Sequence, residues 1–474
     1  MNDYIVSIGL EVHCELKTQT KLLCSCKNGF GGKPNTRVCP VCAALPGAMP
    51  TLSREAVDLA IKAGLVLGCE IQKYCKWDRK NFFYPDSPKA WQTTQAELPL
   101  VRGGVVEFDF NGGKKAVRIN RIHLEEDAGK LIHEGNKTFI DLNRCGVPLI
   151  EIVTEPDLHS SDETVAFLEE LKREISYSGV SDVKMQEGSL RVDVNLSVAR
   201  KGENLGERTE TKNLNSFAAV KRSCEYEAKR QTEILEKGGV ISRETRRWDD
   251  VAGVGSVMRG KEDLDDYRYF TEPDLQPLVI TDEYIENLRR SLPESAKSRV
   301  SRYIEKFNLP EYDAKVLTLD KQISDLYDDV VKCGADPKKA SNFIMGSVMR
   351  MYKENGGKLC VNASQIALLL QAVNDGKISL STAKDSVLPA IGNENDDPLE
   401  IAEKLGVLQI NDQKAAEELV DKVLSENIKA AQDYAAGNKK VISFLTGAVI
   451  KASRGKFNPE LVSKTIIKKL NQKE

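Results

Sequence analysis

Hydrophobic and polar positions alternate in the stretch Ile8-Gly9-Leu10-Glu11-Val12-His13-Cys14-Glu15-Leu16. A period of two is the mark of a β-strand, so Leu10, Val12 and Leu16 share one face while Glu11, His13 and Glu15 share the other. Such a polar face is either solvated or turned toward a metal or a polar substrate. The device returns at 188–198, where Leu190, Val192, Val194 and Leu196 oppose Arg191, Asp193, Asn195 and Ser197. Between these two stretches, strand patterns over 105–110, 116–124, 138–142 and 149–153 are punctuated by Asn111-Gly112-Gly113 and Glu134-Gly135-Asn136, which predicts a largely antiparallel sheet. The segment 209–216 continues in the same style and ends in a helix N-cap, opening a helix that runs to Gly238.

Helical spacing appears at 54–68, which stops at Gly68, and at 165–175 behind a Ser160/Glu163 capping box. Beyond Asp282 the pattern is helical throughout: 283–290, 292–307, 320–332, 337–354 and 363–372, then 398–405, 412–425 and 437–470, with a polar linker at 393–398. The fold class expected is α+β: a mostly antiparallel β cradle with flanking helices (1–292), an all-α domain (293–397) and a small helical tail (398–474). The segment 76–89 mixes aromatics with Arg79, Lys80 and Lys89, and Pro85 and Pro88 forbid a helix there, so an ordered loop is predicted. Its cations either cover a core or meet phosphate.

Composition narrows the classes. The 474 residues are 41% hydrophobic and 29% charged with a net charge of −3, an ordinary balance that excludes a globally basic nucleic-acid binder but not a local basic surface. Such a surface is present: residues 439–474 hold nine Lys/Arg against two acids. No apolar run approaches bilayer length and no leader precedes the first strand, so a cytoplasmic protein without a membrane partner is expected. Eleven cysteines, an odd and scattered count, argue against a disulfide framework. Four of them are grouped as Cys24-Ser-Cys26 and Cys39-Pro-Val-Cys42 in a Gly/Pro-rich segment, spacing that suits a closed, structural zinc knuckle at 24–42; a knuckle of free buried thiols is the other reading. Glu125 and Glu151 emerge from apolar strands as Glu11 does, and carboxylates with an imidazole from several strands suit Mg2+ acting beside substrate phosphates, the alternative being independent surface acids. No G-x-x-x-x-G-K-[ST] loop is present, so a nucleotide site would be of another architecture.

IGLEVHCEL, the CSC to CPVC knuckle with LPGAMP, RKNFFYPDSPK, IHLEEDAGK, NRCGVPLIEIVTEPD, QEGSLRVDVNLSV, KNLNSF and DYRYFTEPDL run in order along the chain. Together they resemble the GatB family, which supplies the GatB component of the glutamyl/aspartyl-tRNA amidotransferase GatCAB. The resemblance implies phosphorylation by ATP of the side-chain carboxylate of Glu-tRNA(Gln) or Asp-tRNA(Asn). Ammonia from the glutaminase component GatA then displaces phosphate, with GatC tying the other two together. It implies Glu11, His13, Glu125 and Glu151 as the Mg2+ and catalytic centre, with Glu126, Glu155 and Asp193 as second choices. Arg79, Lys89, Arg191 and Asp193 are implied as nucleotide or substrate contacts, and a YqeY-like tail meets tRNA through Lys439, Lys440, Lys451, Arg454 and Lys456. Glu15 has no counterpart in this assignment and is expected to be solvated.

The chain departs from the usual family form at Ser87, Ala90, Trp91, Thr93 and Thr94, at Val192, Val194 and Leu196, and at Thr271, which leaves efficiency, substrate preference and a divergent paralogue open. The inserted domain of the archaeal GatE protein is absent. A tRNA-binding scaffold that has lost catalysis is the competing reading, and the retained acids and imidazole favour the enzyme.

Overall fold

The computed structural model describes residues 3–260, 264–409, 413–435, 438–453 and 457–471. The chain forms two units, Met1–Ser295 and Ala296–Glu474.

The first unit is organised by a ten-stranded sheet with Tyr4–Glu15 at its middle. From one edge the order is Val254–Gly260, Glu244–Asp249, Thr209–Leu214, Leu190–Arg200, Tyr4–Glu15, Pro148–Thr154, Gly113–Glu126, Val101–Arg102 and Glu70–Ile71, with Val105–Phe110 paired to Gly113–Glu126 off this path. Neighbours are antiparallel except Thr209–Leu214 with Glu244–Asp249, which run parallel. The alternation in sequence is realised as burial: Leu10, Val12, Leu16, Leu190, Val192, Val194 and Leu196 are all buried on one face. Against that face pack the helices Arg54–Val66, Ser161–Ser178 and Phe217–Glu236. Each fully buried Leu or Val contributes roughly 1.5–3 kcal/mol, so this face alone anchors the sheet.

The helices begin where the sequence places their caps. Ser53, Ser160 and Ser216 accept from the N–H groups of Ala56, Glu163 and Ala219 at 3.3, 3.1 and 3.0 Å. Glu163 closes only half of the expected capping box, since its carboxylate takes the N–H of His159 rather than that of Ser160. Gly179 ends the second helix with φ +74°, a conformation that costs a glycine nothing.

The segment expected as a loop is in part a strand. Asp78–Asn81 pairs with both Trp91–Thr94 and Phe270–Thr271 in a separate three-stranded sheet. Pro85 and Pro88 fall in the connection between the first two strands, where neither has a ladder hydrogen bond to lose. This small sheet is tied to the polar face of the large one: Thr94 Oγ1 donates to Glu125 at 3.1 Å and Gln92 Nε2 to the Glu126 carbonyl at 2.8 Å. The strands Glu244–Asp249 and Val254–Gly260, on the far edge, have no counterpart among the sequence expectations.

The second unit is helical. One apolar cluster gathers Tyr303, Tyr327, Phe343, Ile366, Leu369 and Leu388, and the Pro398–Lys404 helix buries Ala402 in it. The expected linker is hydrogen-bonded, Gln365 Nε2 donating to the carbonyls of Asn393 and Asp396 at 2.9 and 3.0 Å. A second cluster holds Val420, Leu445, Val449, Val462 and Ile466, from the helices Gln413–Glu426, Val441–Ala452 and Pro459–Asn471. The stretch 437–470 is thus broken before Pro459, which serves as a first helical residue and not an interior one. No described helix is long and apolar enough to cross a membrane.

Candidate active site and metal centres

Register builds the site. Arg191 pairs with His13, His13 with Glu151 and Glu151 with His123, so four adjacent strands present one row of ionisable side chains, a single acid among three bases, on the face opposite the helices. Glu125, two residues from His123, lies on the same face. His13 Nε2 is 3.3 Å from Glu151 and 3.8 Å from Glu125, and His123 Nε2 is 3.3 and 3.5 Å from the same two carboxylates. His13, Glu125 and Glu151 each offer an atom within 4.8 Å of the others, a set able to hold a metal ion.

Glu11, grouped with these residues by its sequence pattern, stands one row away. It pairs with Asp193 and joins Asp193 and Glu210 in a second set of the same tightness. Asp193, expected as a cofactor contact, meets the ammonium of Lys212 at 2.6 Å, which also meets Glu210 at 2.8 Å.

The electrostatics follow from burial and repulsion. Burial raises the pKa of Glu11, and the charges of Glu151, Glu210 and Asp193 add to the rise. Burial alone would lower His13 and His123, but Glu151 and Glu125 outweigh it: His13 is raised and His123 reaches about 9. Glu151 is held well below the carboxylate range despite its burial, because both imidazoles face it. Glu15 is not solvated as expected. It is partly buried and hydrogen-bonded to Asp127, and burial with the Asp127 charge pushes it up to about 8.

Two cavities share this face. The larger, of about 680 Å3, is lined by His13, Glu125 and Glu151, by Glu11 and Glu210, and by Lys80, Arg208, Arg243 and Tyr269; the smaller, of about 280 Å3, by His13, Lys80, Lys89, Glu126, Arg191 and Asp193. Lys80 reaches both. Its ammonium sits 4.6 Å from the Tyr267 ring centroid, and among the described residues no carboxylate lies within ion-pair distance of it. Arg79 points the other way. It pairs with Glu272 at 2.7 Å and Asp274 at 3.0 Å, lies 4.0 Å from the Trp91 ring, and lines a third cavity beside the knuckle, so it is not brought to the His13 row. In a strand neighbouring side chains face opposite ways, which is why Lys80 joins the site and Arg79 does not. Lys89 is paired with Glu126, and Arg191 with Asp127 at 2.9 Å. Glu126 thus faces Lys89, while Glu155 takes the Asn120 amide at 2.7 Å and lies outside both cavities. His123, Lys80, Glu210 and Lys212 were not singled out as site residues. Strand parity from His13 and Glu125 would have found the first, and recognising the Asp78–Asn81 strand the second.

The knuckle forms as its spacing predicts. Cys24, Cys26, Cys39 and Cys42 converge, with Cys42 Sγ 4.0 Å from Cys26 Sγ and 3.9 Å from Cys39 Sγ. Metal–sulfur bonds of ~2.3 Å in a tetrahedron require sulfurs ~3.8 Å apart, so the four thiols fit zinc. Cys42 is lowered by the hydrogen bond from the Cys24 thiol, with the buried Lys21 ammonium 3.5 Å away and the Cys39 N–H at 3.2 Å adding to it.

In the second unit Lys439, Lys440 and Lys451 are exposed and no described carboxylate pairs with them, whereas Lys468 and Lys469 are taken by Glu417 and Asp421. Arg454 and Lys456 lie outside the described residues.

Comparison with known proteins finds the same framework. Residues 6–286 match the GatB/GatE catalytic domain and residues 325–470 the GatB domain. The B subunits of the aspartyl/glutamyl-tRNA(Asn/Gln) amidotransferases of Caldicellulosiruptor bescii and Caldicellulosiruptor saccharolyticus are each 48% identical over 99% of this chain and 100% of their own. That of Carboxydothermus hydrogenoformans is 46% identical over 99% of both chains.

Proposed function

The chain belongs to the GatB family, and from that premise we propose how its cradle contributes to amidation of Asp or Glu carried by tRNA. It is one component of an amidotransferase acting on tRNA, which makes it part of a multi-subunit enzyme. The finer reading is that GatA and GatC are its partners, that ATP is consumed, and that Glu-tRNA(Gln) or Asp-tRNA(Asn) is the substrate.

A carboxylate is a poor electrophile. Its oxygen attacks the γ-phosphorus of ATP and ADP leaves; ammonia then attacks the acyl carbon, phosphate departs with the C–O electron pair, and the surplus ammonium proton passes to a base. His13, Glu125 and Glu151 would hold Mg2+ here, and the donor set fits it: two carboxylates and one imidazole whose Nε2 faces both. When bound, the ion would neutralise charge on the transferring phosphoryl group. Lys80, with no described carboxylate at ion-pair distance, supplies a cation to phosphate from the opposite wall, and Arg191 fixes the end of the row through Asp127. His123 locks the two carboxylates from the side away from His13. The four-thiolate knuckle would hold zinc with no open position and so stiffens a segment that has little apolar core. Lys439, Lys440 and Lys451, with Arg454 and Lys456 from the sequence, are assigned to the tRNA backbone.

One observation carries the catalytic over the scaffold reading: the in-register His13–Glu151–His123 row with Glu125 beside it, facing a cavity of about 680 Å3. The test is glutamine- and ATP-dependent amidation of Glu-tRNA and Asp-tRNA by the reconstituted complex. Glu125→Ala and His13→Ala are expected to lose at least about a hundredfold in rate while glutaminase activity persists. Full activity in both would refute the site, and absence of ATP cleavage by the wild type would favour the scaffold.

A further inference from the structure

A lysine with no exposed surface lies against the knuckle. Lys21, three residues before Cys24, is 0% exposed. Its Nζ donates to Cys42 Sγ at 3.5 Å and to the Leu142 carbonyl at 3.2 Å, and among the described residues no carboxylate lies within ion-pair distance of it. Glu126, which like the Lys21 stem lies beside Gly146, is turned to Lys89 instead. An ammonium withdrawn from water is costly without a negative partner, and of these two acceptors only the sulfur can carry a full negative charge.

The sulfurs have the complementary need. Of the four knuckle cysteines Cys42 alone is buried, while Cys24, Cys26 and Cys39 are partly exposed. Four thiolates around Zn2+ leave two negative charges, which water relieves at the outer sulfurs and not at the inner one. The Cys39 N–H at 3.2 Å gives Cys42 a hydrogen bond but no charge, and Lys21 supplies both. The main chain adds to the hold. Lys21 N–H donates to the Cys26 carbonyl at 3.0 Å, so one residue grips the first cysteine arm by its backbone and the second by its side chain. Leu142 lies in the connection between Lys137–Asp141 and Pro148–Thr154, and Leu22 N–H donates to the Gly146 carbonyl of that same connection at 2.8 Å. The ammonium thereby ties the knuckle to the segment that leads into the Glu151 strand.

We propose that Lys21 is a positioning residue of the knuckle: its ammonium is the built-in counter-charge of the four-thiolate ligand set and anchors Cys42 to the Leu142 carbonyl. That role rests on the reading of the four cysteines as a zinc site. Metal affinity there depends on a residue that is not itself a ligand.

The experiment measures zinc and Co2+ affinity by chelator competition on the full chain in its assembled complex, comparing wild type with Lys21→Met and Lys21→Gln. Methionine keeps most of the apolar stem and removes both charge and donor; glutamine keeps a neutral N–H donor. Lys21→Met is expected to weaken zinc by roughly 10–100-fold. In the Co2+ form it is expected to move the sulfur-to-cobalt charge-transfer band to longer wavelength, because a sulfur relieved of its cationic donor gives up electron density more easily. Lys21→Gln is expected to fall between Lys21→Met and wild type in both readouts. Wild-type affinity in Lys21→Met overturns the proposal, and wild-type affinity in Lys21→Gln does so by showing that the charge is not needed. Weakened affinity with an unmoved band also overturns it, since loss of the tie to Leu142 alone would have that effect. If Lys21→Met melts early, Lys21→Gln decides by the same two readouts. Wild type without an equivalent of zinc refutes the knuckle reading and the role of Lys21 with it, whereas zinc in the wild type with unchanged variants removes that role alone.

Discussion

Glu151 stands between two imidazoles, and replacing it with glutamine separates what its charge does from what its shape does. The carboxylate is 3.3 Å from Nε2 of both His13 and His123. At an effective dielectric near 20, a full charge pair at that distance is worth about 5 kcal/mol, enough to overcome the burial that pulls an imidazole down. His123 accordingly rises from 6.5 to about 9. At ~1.4 kcal/mol for each tenfold change in proton affinity, that rise stabilises the fold by about 3 kcal/mol. Because the folded-state pKa is the higher one, the stabilisation is complete below pH 6.5 and is lost as pH climbs through about 9. The shift in His13 acts in the same direction.

Glu151→Gln keeps the outline of the side chain and forfeits the charge. Unfolding midpoints of wild type and variant, with zinc bound and no other divalent ion, are to be compared at about pH 6 and about pH 10. For a unit of this size about 3 kcal/mol corresponds to ~6–12 °C, so the variant falls short by up to that much at the lower pH, Glu125 at 3.5 Å from His123 retaining part of the shift. At the higher pH the gap closes or reverses, since the wild type then holds a buried carboxylate between two neutral rings. The same gap at both pH values would show that packing made the difference and would refute the charge argument.

Two further outcomes test the peripheral elements. Cys42→Ser is expected to drop bound zinc below one equivalent and expose 24–49 to proteolysis while the main sheet keeps its circular dichroism, because that sheet draws on a separate apolar face; zinc content equal to wild type would refute four-thiolate ligation. Replacing Lys439, Lys440 and Lys451 together by alanine is expected to lower the slope of log affinity for tRNA against log salt by about 2–3 and to leave turnover at saturating tRNA unchanged; an unchanged slope would mean the face is merely solvated.

Sequence pattern located the strands that carry the chemistry because each has one face wholly apolar. Leu10, Val12, Val192 and Val194 can only be buried, and that fixes which way Glu11, His13 and Asp193 point. Pattern does not say which strand lies beside which, and here that decides grouping: Glu11 meets Asp193 and Glu210 rather than His13 and Glu125 because of pairings far apart in sequence. Glu210 and Lys212 lie in Thr-Glu-Thr-Lys-Asn, where neither face reads as core, so the segment drew attention as polar without naming its acid. That Lys80 and not Arg79 enters the site was hidden by Pro85 and Pro88, which signal a turn correctly but conceal that the turn joins two strands. The strand Glu244–Asp249 is almost wholly polar and is held in place by its parallel neighbour, a tertiary cause that no local pattern records.

The position of Tyr4–Glu15 in the middle of the sheet has a cost in time. One of its contacts, Asn195 with Glu11, spans 184 residues. At ~5–20 residues per second the ribosome needs roughly 10–40 s to supply the partner after the first strand emerges. Until the helix Arg54–Val66 and then the strand Pro148–Thr154 follow, Leu10 and Val12 have no helix or neighbouring strand to cover them. Glu11, His13 and Glu15, interleaved with those residues, keep the nascent segment charged and so discourage its pairing with other chains. The acids that serve the finished cavity would then also act earlier, as gatekeepers of a strand that must wait for its neighbours.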